Sequence, residues 1–258
     1  MLILAIGDVI GKPGRQAVQK ILPGLRQQYH LDMVIANSEN AAGGMGLTYS
    51  TARELLEAGA DILTSGNHIW NQKEIIPYLD SNLPIIRPLN YPPGVPGRGC
   101  LTQEHIVVVN LIGRTFIGNF DCPFRAMDTL LAGLSNKHTV IIVDFHAEAT
   151  SEKVAMGRYL DGRVSAVVGT HTHVGTIDAK IFPKGTAHVT DIGMVGPETS
   201  IIGDDVESVM SRFLTAMPAR LSVGTDTRII FNSVLINIDD KSGQAISIER
   251  IDREVDIK

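Results

Sequence analysis

The sequence predicts an α/β protein built as one domain, and three observations carry that reading. Short apolar runs rich in Val, Ile and Ala recur along the 258 residues, each closing on glycine and polar residues. Segments with helical spacing lie between those runs. The chain is 44% hydrophobic but only 5% aromatic, with 25 glycines, which suits buried aliphatic strands joined by tight turns.

Residues 2–6 form the first run and lead into Gly7-Asp8-Val9-Ile10-Gly11. Residues 33–36 lead into Asn37-Ser38-Glu39-Asn40, and 62–63 into Thr64-Ser65-Gly66-Asn67-His68. Residues 140–143 lead into Asp144-Phe145-His146, and 166–168 into Gly169-Thr170-His171-Thr172-His173. Nearly continuous β-branched runs of this kind are how strands covered on both faces read. Helical spacing covers 14–28, 48–58, 126–135, 151–160 and 205–214; the first segment places Val18, Ile21, Leu22 and Leu25 on one stripe. Thr48 has the chemistry of a helix N-cap, with Thr51 as a second option. Residues 228–238 and 245–251 alternate as strands around Asp239-Asp240-Lys241-Ser242-Gly243, a hairpin. The Pro/Gly-rich stretch 88–99 is the best candidate for a boundary but is short enough for a surface loop, so residues 1–258 read as a single domain.

A net charge of −5 argues against a protein that coats duplex nucleic acid or an anionic membrane. Cys100 and Cys122 are too few for a disulfide framework or a four-thiolate zinc site. No run approaches the roughly 18 apolar residues of a spanning helix, and the first residues lack a basic leader. The expectation is a soluble, cytoplasmic protein.

The positions of the chemical groups are informative. Asp8, Glu39, Asn40, Asn67, His68, His146, His171 and His173 all fall just beyond an apolar run. In an α/β sheet, that is the space outside the carboxyl ends of the strands, where ligands bind. Each residue alone has an ordinary reading: Asp8 as a cap, Asn67 as a left-handed turn residue, a single His as a structural group. Together they offer oxygen and nitrogen ligands without thiolate, which suits Mn, Fe or Zn, and one shared carboxylate can bridge two ions. His171-x-His173 places both rings on one side if its strand persists.

Other chemistries find no support. The loop at 7–13 is too short for a P-loop and has Pro13 where Ser or Thr is needed. It is not a dinucleotide turn either, although Lys12 and Arg15 could lean toward a phosphate. Cys122 has Asp128, not Arg, six residues on, and no Gly-x-Ser-x-Gly elbow occurs. Thr150 and Ser151 read as helix caps, and His30, His105, His138 and His188 carry no assigned role.

Gly66-Asn67-His68, the isolated His146 and Gly169-Thr170-His171-Thr172-His173 resemble the ordered motifs of the calcineurin-like metallophosphoesterases. Residues 7–15 (GDVIGKPGR), 37–44 (NSENAAGG), 64–71 (TSGNHIWN), 87–92 (RPLNYP) and 190–197 (TDIGMVGP) more closely resemble the bacterial YmdB family. The resemblance implies a four-layer metallophosphoesterase sandwich, two mixed β-sheets flanked by helices. It implies a phosphodiesterase with two transition-metal ions, iron or alternatively manganese, acting on 2′,3′-cyclic nucleoside monophosphates. The chain departs from the superfamily where Asp-x-His is expected, since Val9 and Ile10 follow Asp8, and Glu39 replaces the bridging Asp. Asn40 then fills the gap. Site one becomes Asp8, Glu39, Asn40 and His173, and site two Glu39, Asn67, His146 and His171. A metal-bridging hydroxide would attack phosphorus while His68 protonates the leaving oxygen. Trp70 and Tyr91 could stack a base or simply pack. The alternatives are a phosphomonoesterase with the same centre, and a regulatory metal- or nucleotide-binding protein acting on a partner in RNA turnover. The substrate, the oligomeric state and a protein partner stay open.

Overall fold

In a computed structural model, residues 1–134 and 140–258 are described. The chain runs β1 (Leu2–Ile6), β2 (Asp8–Val9), α1 (Gly11–Tyr29), β3 (Met33–Asn37), α2 (Tyr49–Glu57), β4 (Ile62–Thr64) and α3 (Ile76–Leu79). It continues with β5 (Cys100–Gln103), β6 (Ile106–Ile112), α4 (Pro123–Gly133), β7 (Val140–His146), α5 (Thr150–Leu160), β8 (Ala166–Thr170), β9 (Lys180–Ile181), β10 (Ala187–Val189) and β11 (Met194–Pro197). It closes with α6 (Val206–Thr215), β12 (Arg228–Phe231), β13 (Ser233–Ile238), β14 (Ala245–Arg250) and β15 (Arg253–Asp256).

The strands form three mixed sheets: β14-β13-β1-β3-β4, β5-β6-β7-β8-β10-β9 and β15-β12-β11-β2. Alternation along each strand divides the core. Ile3, Ala5 and Ile35 of the first sheet meet Val108, Ile142 and Val168 of the second. On the opposite face of the first sheet, Leu4, Ile6 and Val34 pack against Val18, Leu22 and Leu25 of α1 and Leu55 of α2. On the outer face of the second, Val109, Val143 and Phe145 meet Met127 of α4 and Met156 and Leu160 of α5. Fully burying a side chain such as Leu22 contributes about 1.5–3 kcal/mol. Helix α2 opens as its sequence indicates: Thr48 Oγ1 accepts from the Thr51 N–H at 3.2 Å, and Thr51 Oγ1 accepts from the Thr48 N–H at 3.0 Å.

Several expectations change. Two sheets were expected, and a third is present because strands β1, β13 and β14 do not stop but continue as β2, β12 and β15. Strands β1 and β13 are paired, yet beyond Gly7 and Asn232 they part, and β11 enters between β2 and β12. The 228–238 segment therefore breaks at Asn232. Strand β7 runs on to His146, which lies inside the strand and not beyond it. The helix expected over 126–135 is displaced toward the N-terminus as α4, started by Pro123 in its first turn; Ser135 and His138 lie outside the described residues. Thr150 and Ser151 are not caps, since Ala149 occupies the N-cap position and no side-chain cap bond forms. Among the described residues, no helix is long and apolar enough to cross a membrane.

The parting of β1 from β13 depends on Gly7. A Cβ there would sit 1.9 Å from the Gly193 carbonyl oxygen and 2.6 Å from its carbon, so β11 can approach only a glycine. Gly7→Ala should lower stability by about 1–3 kcal/mol, the usual cost of overpacking, read as a shift in urea midpoint. An unchanged midpoint would mean the two strands part for another reason.

Candidate metal centre

Asp8 begins β2, Glu39 and Asn40 follow β3, Asn67 and His68 follow β4, His146 ends β7, and His171 and His173 follow β8. Strands β1, β3 and β4 are mutually parallel, as are β7 and β8, so these groups gather at carboxyl ends of strands from two facing sheets. Asp8, Glu39, Asn40 and His146 are buried.

His146 is the hub. Its Nε2 lies 3.0 Å from Glu39 Oε1, 3.2 Å from Asn67 Oδ1 and 3.0 Å from His171 Nδ1. Glu39, His146 and His171 each bring one ligand atom within 4.8 Å of the other two. Asp8 Oδ1 stands 3.9 Å from both His146 Nδ1 and His173 Nε2. Glu39, Asn67 and His171 are thus brought around His146, with Asp8 beside it, and Asn40 lines the same cavity as Glu39, His171 and His173. Gly66 makes the approach possible, because a Cβ there would fall 2.2 Å from Glu39 Oε2 and 2.3 Å from His146 Nε2.

Each imidazole is oriented from behind. Thr170 Oγ1 gives its single proton to Asp144 Oδ1 at 2.7 Å, so at 2.9 Å it must accept from His146 Nδ1–H. Asp144 is itself held by Thr64 Oγ1 and by Asn37 Nδ2 at 3.1 Å. His171 Nε2 donates to Glu148 Oε2 at 3.0 Å, which leaves Nδ1 facing the centre. His173 Nδ1 donates to the Ile202 carbonyl at 2.7 Å, which leaves Nε2 toward Asp8. Outer partners of this kind fix the tautomer of metal-binding histidines. Asn40 Nδ2 donates to the Gly44 carbonyl at 2.8 Å, so its oxygen is the free end.

The convergent atoms are therefore acceptors, and two have no partner. Asp8 Oδ1 and Asn40 Oδ1 are buried without a hydrogen bond among the described residues. Unpaired buried acceptors are costly, and a cation satisfies several at once. The residues alone compensate through protons. Burial pushes Asp8 up to about 6 against the pull of His173 and His146. Burial would push Glu39 up as well, but His146, His68 and His171 outweigh it and hold the carboxyl at about 2. Burial opposes charge on His146, yet Glu39, Asp8 and Asp144 raise it to about 9. Burial, then the repulsion of His146, lowers His171 to about 3 and keeps it neutral. A mixed oxygen and nitrogen donor set without thiolate fits a transition-metal cation.

Above the centre lies a cavity of about 520 Å³, lined by Met45, His68, Gln72, His171, His173 and Arg220 among others. His68 is anchored by its N–H to Glu39 Oε2 at 3.2 Å, and its ring has no hydrogen-bond partner among the described residues. Trp70 and Tyr91 do not line this cavity; their rings meet edge-on at 5.4 Å, and Tyr91 meets Phe120 at 5.0 Å. They pack, and base stacking by them is not supported. Arg15 is likewise structural, bound to Glu54 and the Ala41 carbonyl. The strand carrying His171 does not persist either: it ends at Thr170, and φ is 98° at His171 and 64° at His173. That left-handed backbone, and not period two, aims the two rings at different partners.

Across residues 4–251 the chain matches the family model described as YmdB-like protein. The chain belongs to the YmdB-like family. A "2′,3′-cyclic-nucleotide 2′-phosphodiesterase" of Bacillus subtilis (strain 168) is 47% identical over 255 residues, covering 97% of this chain and 96% of the relative. Two crystal structures are similar over almost their whole length. A hypothetical protein from Thermus thermophilus has TM-score 0.93 and 45% identity, covering 98% of this chain and 99% of that one. A novel phosphatase from Mycoplasma pneumoniae has TM-score 0.93 and 34% identity, covering 99% and 94%.

In this YmdB-like chain several supporting residues escape a reading of the sequence. Asp144 could have been found, since it stands two residues before His146 and shares its face of β7. Thr170 and Asp191 stand within the quoted segments 169–173 and 190–197 but without an assigned role, and Glu148 and Lys153 give no local signal. Lys153 Nζ, buried in α5, reaches Asp191 Oδ2 at 2.6 Å. That oxygen also accepts from Thr172 N at 3.1 Å and Thr172 Oγ1 at 2.7 Å, between the two histidines. Lys153→Met should strand the Asp191 carboxylate and cost about 3–5 kcal/mol, measured by denaturant unfolding. A cost under about 1 kcal/mol would mean that the pair is not the anchor of this loop.

Proposed function

We propose that the chain is a metal-dependent phosphodiesterase opening small cyclic phosphodiesters, 2′,3′-cyclic nucleoside monophosphates above all, to monoesters. The observation that carries this is the set of buried, convergent acceptors, two of them unpartnered, beneath a cavity with the His68 ring at its wall. The named relative at 47% identity supports the choice of a cyclic nucleotide. Asp8, Glu39, Asn40 and His173 would hold one ion, and Glu39, Asn67, His146 and His171 the other, with Glu39 shared. The family resemblance makes iron the expected metal and manganese an active substitute; one carboxamide in place of an imidazole makes the first site harder and more oxygen-rich, which suits manganese as well. Ions held there would supply Lewis acidity toward the phosphoryl group and the attacking water.

The chain's own groups do the rest. Glu148, Thr170 and the Ile202 carbonyl keep the imidazole lone pairs aimed inward. His68, fixed by its backbone to Glu39 and free at its ring, gives a proton to the leaving alkoxide oxygen. A cavity of about 520 Å³ fits a mononucleotide. The fold suits the four-layer sandwich of metallophosphoesterases, acting as one domain over residues 1–258 in the cytoplasm.

His68→Ala should lower kcat on 2′,3′-cyclic AMP about 10²- to 10⁴-fold with metal content unchanged. Full activity in that variant would remove His68 from the chemistry, and turnover of p-nitrophenyl phosphate without any diester would favour a monoesterase. Chelation should lower Tm as well as activity, because the unpaired acceptors are left buried. Loading at pH 7 should release protons, since His146, raised to about 9, must give one up. Affinity should then rise with pH up to about 9, as calorimetry in buffers of different ionisation enthalpy would report. Loading without proton release would place the ion elsewhere.

A further inference from the structure

The wall of the cavity carries one cationic side chain that the centre does not use. Glu39, Glu148 and Asp204 all line it, and Glu39 and Glu148 are engaged with His146 and His171. Burial pushes the Asp204 carboxyl up, against the pull of His173 and His68. With a net charge of −5 on the chain as well, an anionic ester meets mostly carboxylates as it enters. Among the described residues lining the cavity, Arg220 is the one Lys or Arg.

Arg220 also differs from the arginines whose donors are already engaged. Arg15, Arg26 and Arg228 are paired with carboxylates, and Arg87 and Arg98 donate to backbone carbonyls. Arg220 is exposed and has no hydrogen-bond or ion-pair partner among the described residues. Its backbone is nevertheless well placed. The loop that follows α6 is tied to the loop carrying Ile202 by Asp205 N–H to the Ser222 carbonyl at 2.8 Å and Gly224 N–H to the Gly203 carbonyl at 2.9 Å. Ile202 in turn holds His173. A guanidinium is thus carried to the mouth of the centre on a braced loop, with its donors free.

We infer that Arg220 binds an anionic phosphoryl oxygen of the substrate, so that it is a substrate-binding residue of the cavity and a determinant of its preference for charged esters. This inference rests on the phosphodiesterase reading of the same cavity. A planar guanidinium offers paired donors to two phosphoryl oxygens, and such charge-assisted bonds are among the stronger ones.

The test compares the metal-loaded parent with Arg220→Ala and Arg220→Lys. Metal content and Tm should be unchanged in both, because Arg220 touches neither the core nor the ligand groups. Arg220→Ala should lose about 10- to 100-fold in kcat/KM on 2′,3′-cyclic AMP, carried mainly by KM. It should weaken binding of inorganic phosphate by a similar factor in calorimetry, and Arg220→Lys should recover part of each. Equal KM and equal phosphate affinity in parent and Arg220→Ala would overturn the assignment. Phosphate binding also separates the two proposals. If the parent cleaves no diester, weaker phosphate binding by Arg220→Ala still supports the anion site while the phosphodiesterase reading fails, and unchanged binding overturns the anion site as well.

Discussion

The structure turns on a concentration of buried acceptors with too few protons to satisfy them. Glu39, Asn40, Asn67, His146, His171 and His173, at or just beyond strand ends of the two facing sheets, and Asp8, on the β2 continuation of β1, gather around a common space. Removing a carboxylate from water costs several kcal/mol unless a charge or a donor meets it. Here the donors are used on the outside of the ring: Thr170, Glu148 and the Ile202 carbonyl each take an imidazole N–H away from the centre. The upward displacements of Asp8 and His146, to about 6 and about 9, are consequences of that arrangement.

Such a cluster requires a scaffold that offsets its cost elsewhere. Aliphatic side chains fill the space between the sheets and beneath the helices on either side, and the strand ends are held by backbone hydrogen bonds. The most demanding contact is the entry of β11 beside Gly7, which sets Asp8 directly after the point where β1 leaves its partner. Gly66 plays the corresponding part on the opposite side, where any side chain would displace Glu39 or His146. Two glycines next to two ligand-bearing residues therefore have a steric role that neither periodicity nor charge reveals.

Much of the centre was legible in the sequence because apolar runs mark strand ends, and polar groups placed just beyond them have one common destination. Asp8, Glu39 and His171 are clear cases. What stayed hidden depends on contacts across the fold. Lys153 lies 38 residues from Asp191, and nothing near either predicts that they pair. The left-handed backbone at His171 and His173 defeats the period-two argument, since β-branched neighbours suggest a strand that in fact ends at Thr170. The third sheet was hidden for a related reason: β1 and β13 read as simple strands, and only the insertion of β11 divides them. The expected helical segments fared better, with Val18, Leu22 and Leu25 buried on one stripe of α1.

The most direct test of the acceptor cluster is anomalous scattering from crystals of the protein loaded with iron or manganese, collected at the absorption edge of the metal. Two peaks per chain are expected, one among Glu39, Asn67, His146 and His171, the other among Asp8, Glu39, Asn40 and His173, with Glu39 common to both. Absence of a peak after verified loading, or a peak remote from His146 with Asp8 Oδ1 hydrogen-bonded to a protein donor, would contradict it.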